Sequence, residues 1–168
     1  MTETKRLILK PLKYSELIKY VENNHSLEYE LGLSETNITI TPEFNEVLEQ
    51  IILPQVEANE QKFEYFTLWT IIEKAMNKMV GDLCFKGLPD AENAIEIGYG
   101  TYEGFRGNGF MTEAVGGIID WAKTQADVKA IVASTDKTNV ASFTVLQKNG
   151  FVKVGESNEL FHWKKELI

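Results

Sequence analysis

The sequence has a single cysteine, no long hydrophobic run and no apolar block at its start. Cys84 alone excludes an internal disulfide framework. No stretch approaches the roughly 20 consecutive apolar residues that a membrane-spanning helix needs. The first ten residues lack a secretory signal and already have strand character. We therefore expect a cytoplasmic protein that has no membrane partner.

Positive charge is also scarce. Lys and Arg total 17 residues against 25 Asp and Glu, so the formal net charge is −8. Nucleic acid is disfavoured as a partner, because binding to its phosphates requires a clustered basic surface. An acidic surface can attract a cationic amine or a basic peptide, but it can equally well just maintain solubility. His25 and His162 lie far apart without nearby Cys or His residues, so no metal site is predicted.

The 168 residues fit one domain, residues 1–168, with a sizeable core. Seven segments have the composition of strands: residues 6–12, 66–73, 79–86, 94–102, 129–134, 151–155 and 160–166. Four helices are predicted: one capped by Ser15, one from Thr41 that Pro54 ends or bends, and residues 110–125 and 140–148. Strands, then helices, then strands again indicate one mixed α+β sheet domain.

The most informative stretch is a strand that runs into a glycine-rich loop and then directly into a long helix. The loop extends from Gly104 to Gly109, and the helix begins at Phe110. Free N–H groups and the helix dipole attract anions at a helix start, and glycines remove the Cβ atoms that would block a phosphate. A tight turn that needs positive φ explains the glycines equally well. A phosphate-binding P-loop would need a lysine after the glycines, and a dinucleotide fingerprint would need a third glycine; both are missing.

The same residues resemble the acetyl-CoA motif of GNAT acetyltransferases. The resemblance rests on residues 96–114, with the sequence EIGYGTYEGFRGNGFMTEA, and on residues 139–151. The second segment and residues 6–12 are similar to the branch that contains ribosomal-protein N-terminal (serine or alanine) acetyltransferases. Gly104 departs from the pattern, since many members carry glutamine or arginine there. The resemblance implies a single α+β domain with a mixed, mostly antiparallel twisted sheet of about seven strands, flanked by about four helices.

The resemblance also implies that acetyl-CoA is the cosubstrate and that no metal takes part. The pantetheine arm is expected along the backbone of the strand, and the pyrophosphate on the loop and the helix start. The implied binding residues are Ile97, Tyr99, Thr101, Phe105, Arg106, Gly107, Asn108, Gly109, Thr112 and Asn139. A bulge in the strand is implied as well.

Two residues are candidates for the chemistry of acetyl transfer, which requires a proton acceptor for the amine and a donor for the departing thiolate. Glu96 is the candidate base, because strand alternation places it beside Gly98 and Gly100, which leave room for a ligand. The alternative is an ordinary exposed glutamate. Ser142 is the candidate acid or sulfur-positioning donor by resemblance, and the alternative is a serine that bonds to its own helical turn.

Other branches of the family carry a tyrosine where this chain has Leu146, and Tyr99 and Tyr102 are alternative donors. The function predicted is acetyl-CoA-dependent transfer of an acetyl group directly to a primary amine, on a protein N-terminus, a polyamine or another small cationic amine. A non-catalytic acyl-CoA-binding sensor or partner-binding domain is the alternative. The sequence leaves open whether the protein is a homodimer.

Overall fold

A computed structural model describes the whole chain, Met1–Ile168, as one α+β domain. Its eight strands are β1 (Thr2–Glu3), β2 (Leu7–Pro11), β3 (Leu68–Glu73), β4 (Lys78–Phe85), β5 (Ala94–Thr101), β6 (Ala130–Asp136), β7 (Val152–Glu156) and β8 (Leu160–Glu166). Its six α-helices are α1 (Tyr14–Glu22), α2 (Ser26–Leu31), α3 (Pro42–Val47), α4 (Leu53–Ala58), α5 (Phe110–Lys123) and α6 (Val140–Lys148). The strands form one sheet in the order β1-β2-β3-β4-β5-β6-β8-β7, and only the β5–β6 pair is parallel. The predicted fold class is confirmed.

The additional elements are short or irregular. The eighth strand, β1, has only two residues, which is too few for a sequence pattern to reveal. Thr41 caps α3 as predicted, because its Oγ1 accepts a hydrogen bond of 3.2 Å from the Phe44 N–H. A π-helical turn (Leu48–Ile52) joins α3 to α4 without a break, and Pro54, which closely follows that irregular turn, does not end the helix. Ser15 does not cap α1: the chain enters that helix at Lys13, whose N–H donates to Glu16 Oε2 at 2.8 Å.

The two faces of the sheet are covered by different helices. One face packs against α5 and α6 and forms the larger core, which includes Trp69, Ile95 and Ile118. The opposite face packs against α1, α2, α4 and the π-helical turn and forms a second core. None of the helices is long and apolar enough to cross a membrane.

Two adjacent glycines in the middle of α5 allow close packing, Gly117 on β2 and Gly116 on the end of α6. A Cβ atom on Gly117 would lie 2.7 Å from Thr4 Cγ2 and 2.8 Å from Leu9 Cδ1. One on Gly116 would lie 3.3 Å from Asn149 Oδ1. The helix can therefore lie close to the sheet because Gly117 has no side chain, and close to Asn149 because Gly116 has none.

A bulge lies in β4, and not in β5 where the resemblance implied it. The β3–β4 register passes from Gly81 to Met79, so Val80 has no partner on β3. An extra residue of this kind reverses the alternation of side chains beyond it. Asp82 consequently points to the face covered by α1. The β4–β5 register runs without a shift from Phe85–Ile97 to Gly81–Thr101.

The sheet opens between its two central strands. β5 and β6 pair only from Ala94 to Glu96, whereas β6 continues to Asp136 along β8 and β5 continues to Thr101 along β4. The two halves of the sheet therefore diverge beyond Glu96. This opening points toward the glycine-rich loop and the start of α5.

Candidate functional site

A cleft of about 570 Å³ lies between the end of β5, the glycine-rich loop and the facing sides of α5 and α6. Most of the residues expected to bind a cofactor line it: Tyr99, Thr101, Phe105, Arg106, Gly107, Asn108, Gly109, Thr112 and Asn139. Ser142 also lines the cleft, whereas Glu96 and Ile97 do not. The cleft therefore brings together one of the two candidate catalytic residues and nearly all of the candidate binding residues.

Every second residue of β5 directs its backbone N–H and C=O groups toward the opening. The Lys86 N–H donates to the Glu96 carbonyl, and the Tyr102 N–H donates to the Val80 carbonyl, each at 2.9 Å. Even-numbered residues of β5 thus direct their polar groups to β4. Ile97, Tyr99 and Thr101 direct theirs to the other side, and the last two lie beyond the paired part of β6. The Thr101 carbonyl accepts a hydrogen bond of 3.3 Å from Arg106 Nε, and the other groups are available to an extended ligand with amides of its own.

The loop before α5 is shaped by two glycines with left-handed backbone conformations. Gly107 has φ of 80° and Gly109 has φ of 74°, values that side chains strongly disfavour. Gly109 is the N-cap of α5 and supplies no side chain to the free N–H groups of the first turn. An added Cβ on Gly107 would have open space around it. The loop and the helix start therefore leave backbone N–H groups free at the cleft, where the sequence analysis expects an anion to bind.

Arg6 holds this loop from the other end of the chain. The Glu113 carboxylate accepts hydrogen bonds from Arg6 Nε at 2.6 Å, from the Arg6 backbone N–H at 2.7 Å and from Thr4 Oγ1 at 2.6 Å. Arg6 also donates to the Asn108 carbonyl at 3.0 Å and lies over the Phe110 ring. Burial alone would raise the pKa of Glu113, but the bonds from Thr4 and Arg6 outweigh it and lower that pKa. No local sequence pattern indicates that Arg6 and Glu113 meet, because 107 positions separate them in the chain.

Lys148 is another residue that the sequence did not indicate. It is exposed in the last turn of α6 and lines the cleft opposite the loop. A basic residue at this place in a helix is normally explained by the dipole, so no local pattern distinguishes it. In the fold it adds a cation to a cleft whose loop carries Arg106.

Tyr99 and Ser142 meet across the cleft. The Tyr99 hydroxyl donates to the Ser142 carbonyl at 2.8 Å, and Ser142 Oγ donates to the Tyr99 hydroxyl oxygen at 3.3 Å. Ser142 is therefore not bonded back to its own turn through its hydroxyl. Burial raises the pKa of Tyr99, and the bond with Ser142 opposes that effect in part. The pair offers two hydroxyls to a group that lies in the cleft.

Asn139 has a structural role at the start of α6. Its Oδ1 accepts a hydrogen bond of 3.1 Å from the Ser142 N–H and so caps α6. The capping oxygen positions the first turn of the helix that carries Ser142. A contact with a ligand is compatible with this role, because Asn139 also lines the cleft.

Glu96 lies on the opposite face of the sheet from Tyr99 and Ser142. Its Oε1 is 2.7 Å from Lys86 Nζ, and 37% of its side chain is exposed. The same face carries Gly98 and Gly100 in the next positions of β5, as strand alternation predicted. The opening therefore has the candidate base on one face and the candidate donor on the other.

A buried polar cluster lies on the same face as Glu96. Asp82 is paired in register with Gly100 and is 9% exposed. Its two carboxylate oxygens accept hydrogen bonds from Tyr20 at 2.6 Å and from Tyr102 at 2.9 Å. Burial raises the pKa of Asp82 to about 6, although the two tyrosines lower it. Tyr102 is thus committed to Asp82, on the face away from Ser142, and is not placed to assist a group beside Ser142.

The single cysteine has no evident role in the site. Burial raises the pKa of the Cys84 thiol to about 11, which disfavours its reactive thiolate form. No group of three or more His, Cys, Asp or Glu side chains is placed to hold a metal ion.

Comparison with known proteins identifies sequence relatives. An acetyltransferase (GNAT) domain matches residues 6–152. An uncharacterized N-acetyltransferase of Bacillus subtilis (strain 168), YjdG, is 31% identical over 163 residues, which cover 97% of this chain and 96% of that protein.

Solved structures share the fold at lower identity. RimL, a ribosomal L7/L12 alpha-N-protein acetyltransferase in complex with coenzyme A, has a TM-score of 0.69 and 19% identity, over 98% of this chain and 96% of its own. A chimera of the spermidine N-acetyltransferase SpeG from Vibrio cholerae and hSSAT has a TM-score of 0.69 and 12% identity, over 97% and 96%.

Proposed function

Because the chain belongs to the acetyltransferase (GNAT) family, we propose that it transfers an acetyl group from acetyl-CoA directly to a primary amine. The observation that carries this proposal is the opening of the sheet beside the glycine-rich loop. An extended ligand can pair with the backbone of β5 there while its anionic end lies at the start of α5. The acceptor amine is that of a protein N-terminus, as named for the RimL neighbour, or of a small cation, as named for the spermidine enzyme.

The cleft fits acetyl-CoA on several independent grounds. The backbone groups of Tyr99 and Thr101 match the amides of a pantetheine arm, and the loop between Arg106 and Gly109 matches a pyrophosphate. Lys148 and Arg106 provide positive charge at the rim of the cleft. When bound, acetyl-CoA supplies an acetyl group that is activated as a thioester.

The chain's own residues then act from both faces of the opening. Glu96 accepts the proton of the amine, which requires its carboxylate to exchange Lys86 for the incoming ammonium group. Ser142 Oγ donates a proton or a hydrogen bond toward the departing sulfur, and Tyr99 holds Ser142 in place. The glycine-rich loop orients the ligand through its backbone, and Arg6 with Glu113 holds that loop in position.

The test is release of free CoA thiol when the purified protein is mixed with acetyl-CoA and a panel of amines. The panel contains peptides with Ser or Ala N-termini, spermidine, 1,4-diaminobutane and butylamine. We expect release with at least one amine, and no release across the panel despite tight acetyl-CoA binding would instead indicate an acyl-CoA-binding sensor.

Two variants test the assigned roles. Glu96→Gln and Ser142→Ala should each lower kcat by about 10²-fold or more, which is typical for the loss of a proton-transfer group. Both should keep the dissociation constant for acetyl-CoA within about twofold, because neither removes a backbone donor of the loop. Glu57→Gln, an exposed change on α4, is the matched control. Unchanged turnover in Glu96→Gln would contradict its role as the base.

A further inference from the structure

The buried acidic side chains of this protein differ in what neutralises them. Four are buried: Glu16, Glu28, Glu73 and Asp82. Three have a cationic side chain or a backbone N–H as a partner, namely Lys10 for Glu16, His25 for Glu28 and the Met76 N–H for Glu73. Asp82 has only the hydroxyls of Tyr20 and Tyr102. It is the buried carboxylate that neither a cation nor a backbone amide compensates.

An unpaired carboxylate inside a protein is unfavourable, and neutral hydroxyl donors compensate it only in part. A neutral amide at position 82 could accept and donate hydrogen bonds with the same two tyrosines at lower cost. With a pKa of about 6, Asp82 is nevertheless ionised at neutral pH. A negative charge that no side chain of the protein neutralises is suited to a positive charge on a ligand.

The position of Asp82 indicates which ligand this is. Asp82 lies beside Gly100, where an added Cβ would meet no atom within 4 Å, and Gly100 also lines the cleft. Gly98 is the next residue of β5 on this face, and Glu96 follows it. The two glycines therefore form a strip that joins the candidate base to Asp82. Lys86, which pairs with Glu96, lies beside this strip, since a Cβ on Gly98 would be 3.9 Å from Lys86 Cε. Its ends, Glu96 and Gly100, are about 13 Å apart along the strand.

We propose that Asp82, held by Tyr20 and Tyr102, binds a second positive charge of the acceptor, so that the preferred acceptor is a small diamine or polyamine. One amine of such a molecule lies near Glu96 and is acetylated, while the other lies at Asp82. A monoamine or a peptide with a single N-terminal ammonium group leaves Asp82 without a partner. The inference rests on the proposed acetyl transfer and adds the class of acceptor.

The experiment compares acceptors that differ only in the second charge. Wild-type kcat/KM is measured for 1,4-diaminobutane and for butylamine, with spermidine as a longer probe. We expect diaminobutane or spermidine to exceed butylamine by at least tenfold. In Asp82→Asn the diamine should lose at least tenfold in kcat/KM, mainly through KM, while butylamine should change by less than about threefold.

A second variant leaves the charge in place and fills the strip. Gly100→Val adds a side chain where the space is open and the backbone is not left-handed, so the fold should tolerate it. It should reduce turnover of the diamine more than that of butylamine. Equal losses for both amines in Asp82→Asn would show a structural role and overturn the proposal, as would a wild type that does not prefer the diamine. Thiol release from no amine at all would instead refute the proposed acetyl transfer.

Discussion

Replacing Asp82 by Asn should make the protein more stable at neutral pH, although we expect it to impair acceptor binding. The folded protein holds the Asp82 proton with a pKa of about 6, whereas the ordinary value is 3.8. The folded state thus binds more protons than the unfolded state between these values, and stability falls as pH rises through that window. Above pH 7 the loss is complete and amounts to about 3 kcal/mol. Asn does not ionise, so Asp82→Asn avoids this loss of stability.

Urea unfolding at two pH values measures this effect. The advantage of Asp82→Asn over wild type in the free energy of unfolding should be about 3 kcal/mol at pH 8 and roughly half as large at pH 5. Other titrating groups are common to both proteins and cancel in the comparison. The control is Asp120→Asn, a carboxamide change at a side chain that is 76% exposed, where the difference should stay within about 0.5 kcal/mol.

The result that refutes this reasoning is a variant that is less stable than wild type at pH 8, or an advantage that does not change with pH. Either would mean that the tyrosine hydroxyls compensate the buried charge fully. If the advantage is found together with a loss of diamine turnover, the charge is kept at the expense of stability, as is common at functional sites.

Two other predictions concern the glycine-rich loop. Gly107→Val should raise the dissociation constant for acetyl-CoA by about 10- to 100-fold, because a β-branched residue at φ of 80° costs about 1–3 kcal/mol. Arg106→Ala should raise that constant less than about fivefold. Calorimetric titration measures both, and the reverse order would refute binding through the loop backbone. Glu113→Gln should lower the free energy of unfolding by about 1–2 kcal/mol at pH 7, since it weakens bonds from Arg6 and Thr4. Folding lowers the pKa of Glu113, so the difference in unfolding free energy between wild type and Glu113→Gln should be present above pH 5 and should shrink as the pH falls below 4.5. A difference that is independent of pH would contradict this role of the ionised carboxylate.

Local patterns predicted those parts of the fold that depend on neighbours in sequence. The loop at Gly107 and Gly109, the cap at Thr41 and the alternation of Glu96 with Gly98 are decided within a few residues, and each is present in the structure. Ser142 and Tyr99 were each proposed separately. Their contact depends on where α6 lies relative to β5, which no local pattern determines.

Long-range partners account for what the sequence did not reveal. Arg6 and Glu113 are separated by most of the chain, and only the packing of α5 on β2 brings them together. The position of Asp82 could not be predicted from the sequence for a different reason. Simple alternation would place it with Val80 on the face of the larger core, but the bulge at Val80 reverses the strand and turns Asp82 to the other face. No residue pattern near Val80 indicates such a bulge.

The divergence of β5 from β6 affects how readily the protein aggregates. Beyond Glu96 the sheet has an internal edge, where the N–H groups of Tyr99 and Thr101 have no partner on β6. Edges of this kind invite pairing with strands of other molecules. A pantetheine chain that lies along β5 acts as a substitute strand, so its amides should retard hydrogen exchange at these two positions. The concentration of ligand would then determine how well the folded chain resists aggregation, as well as its catalytic rate.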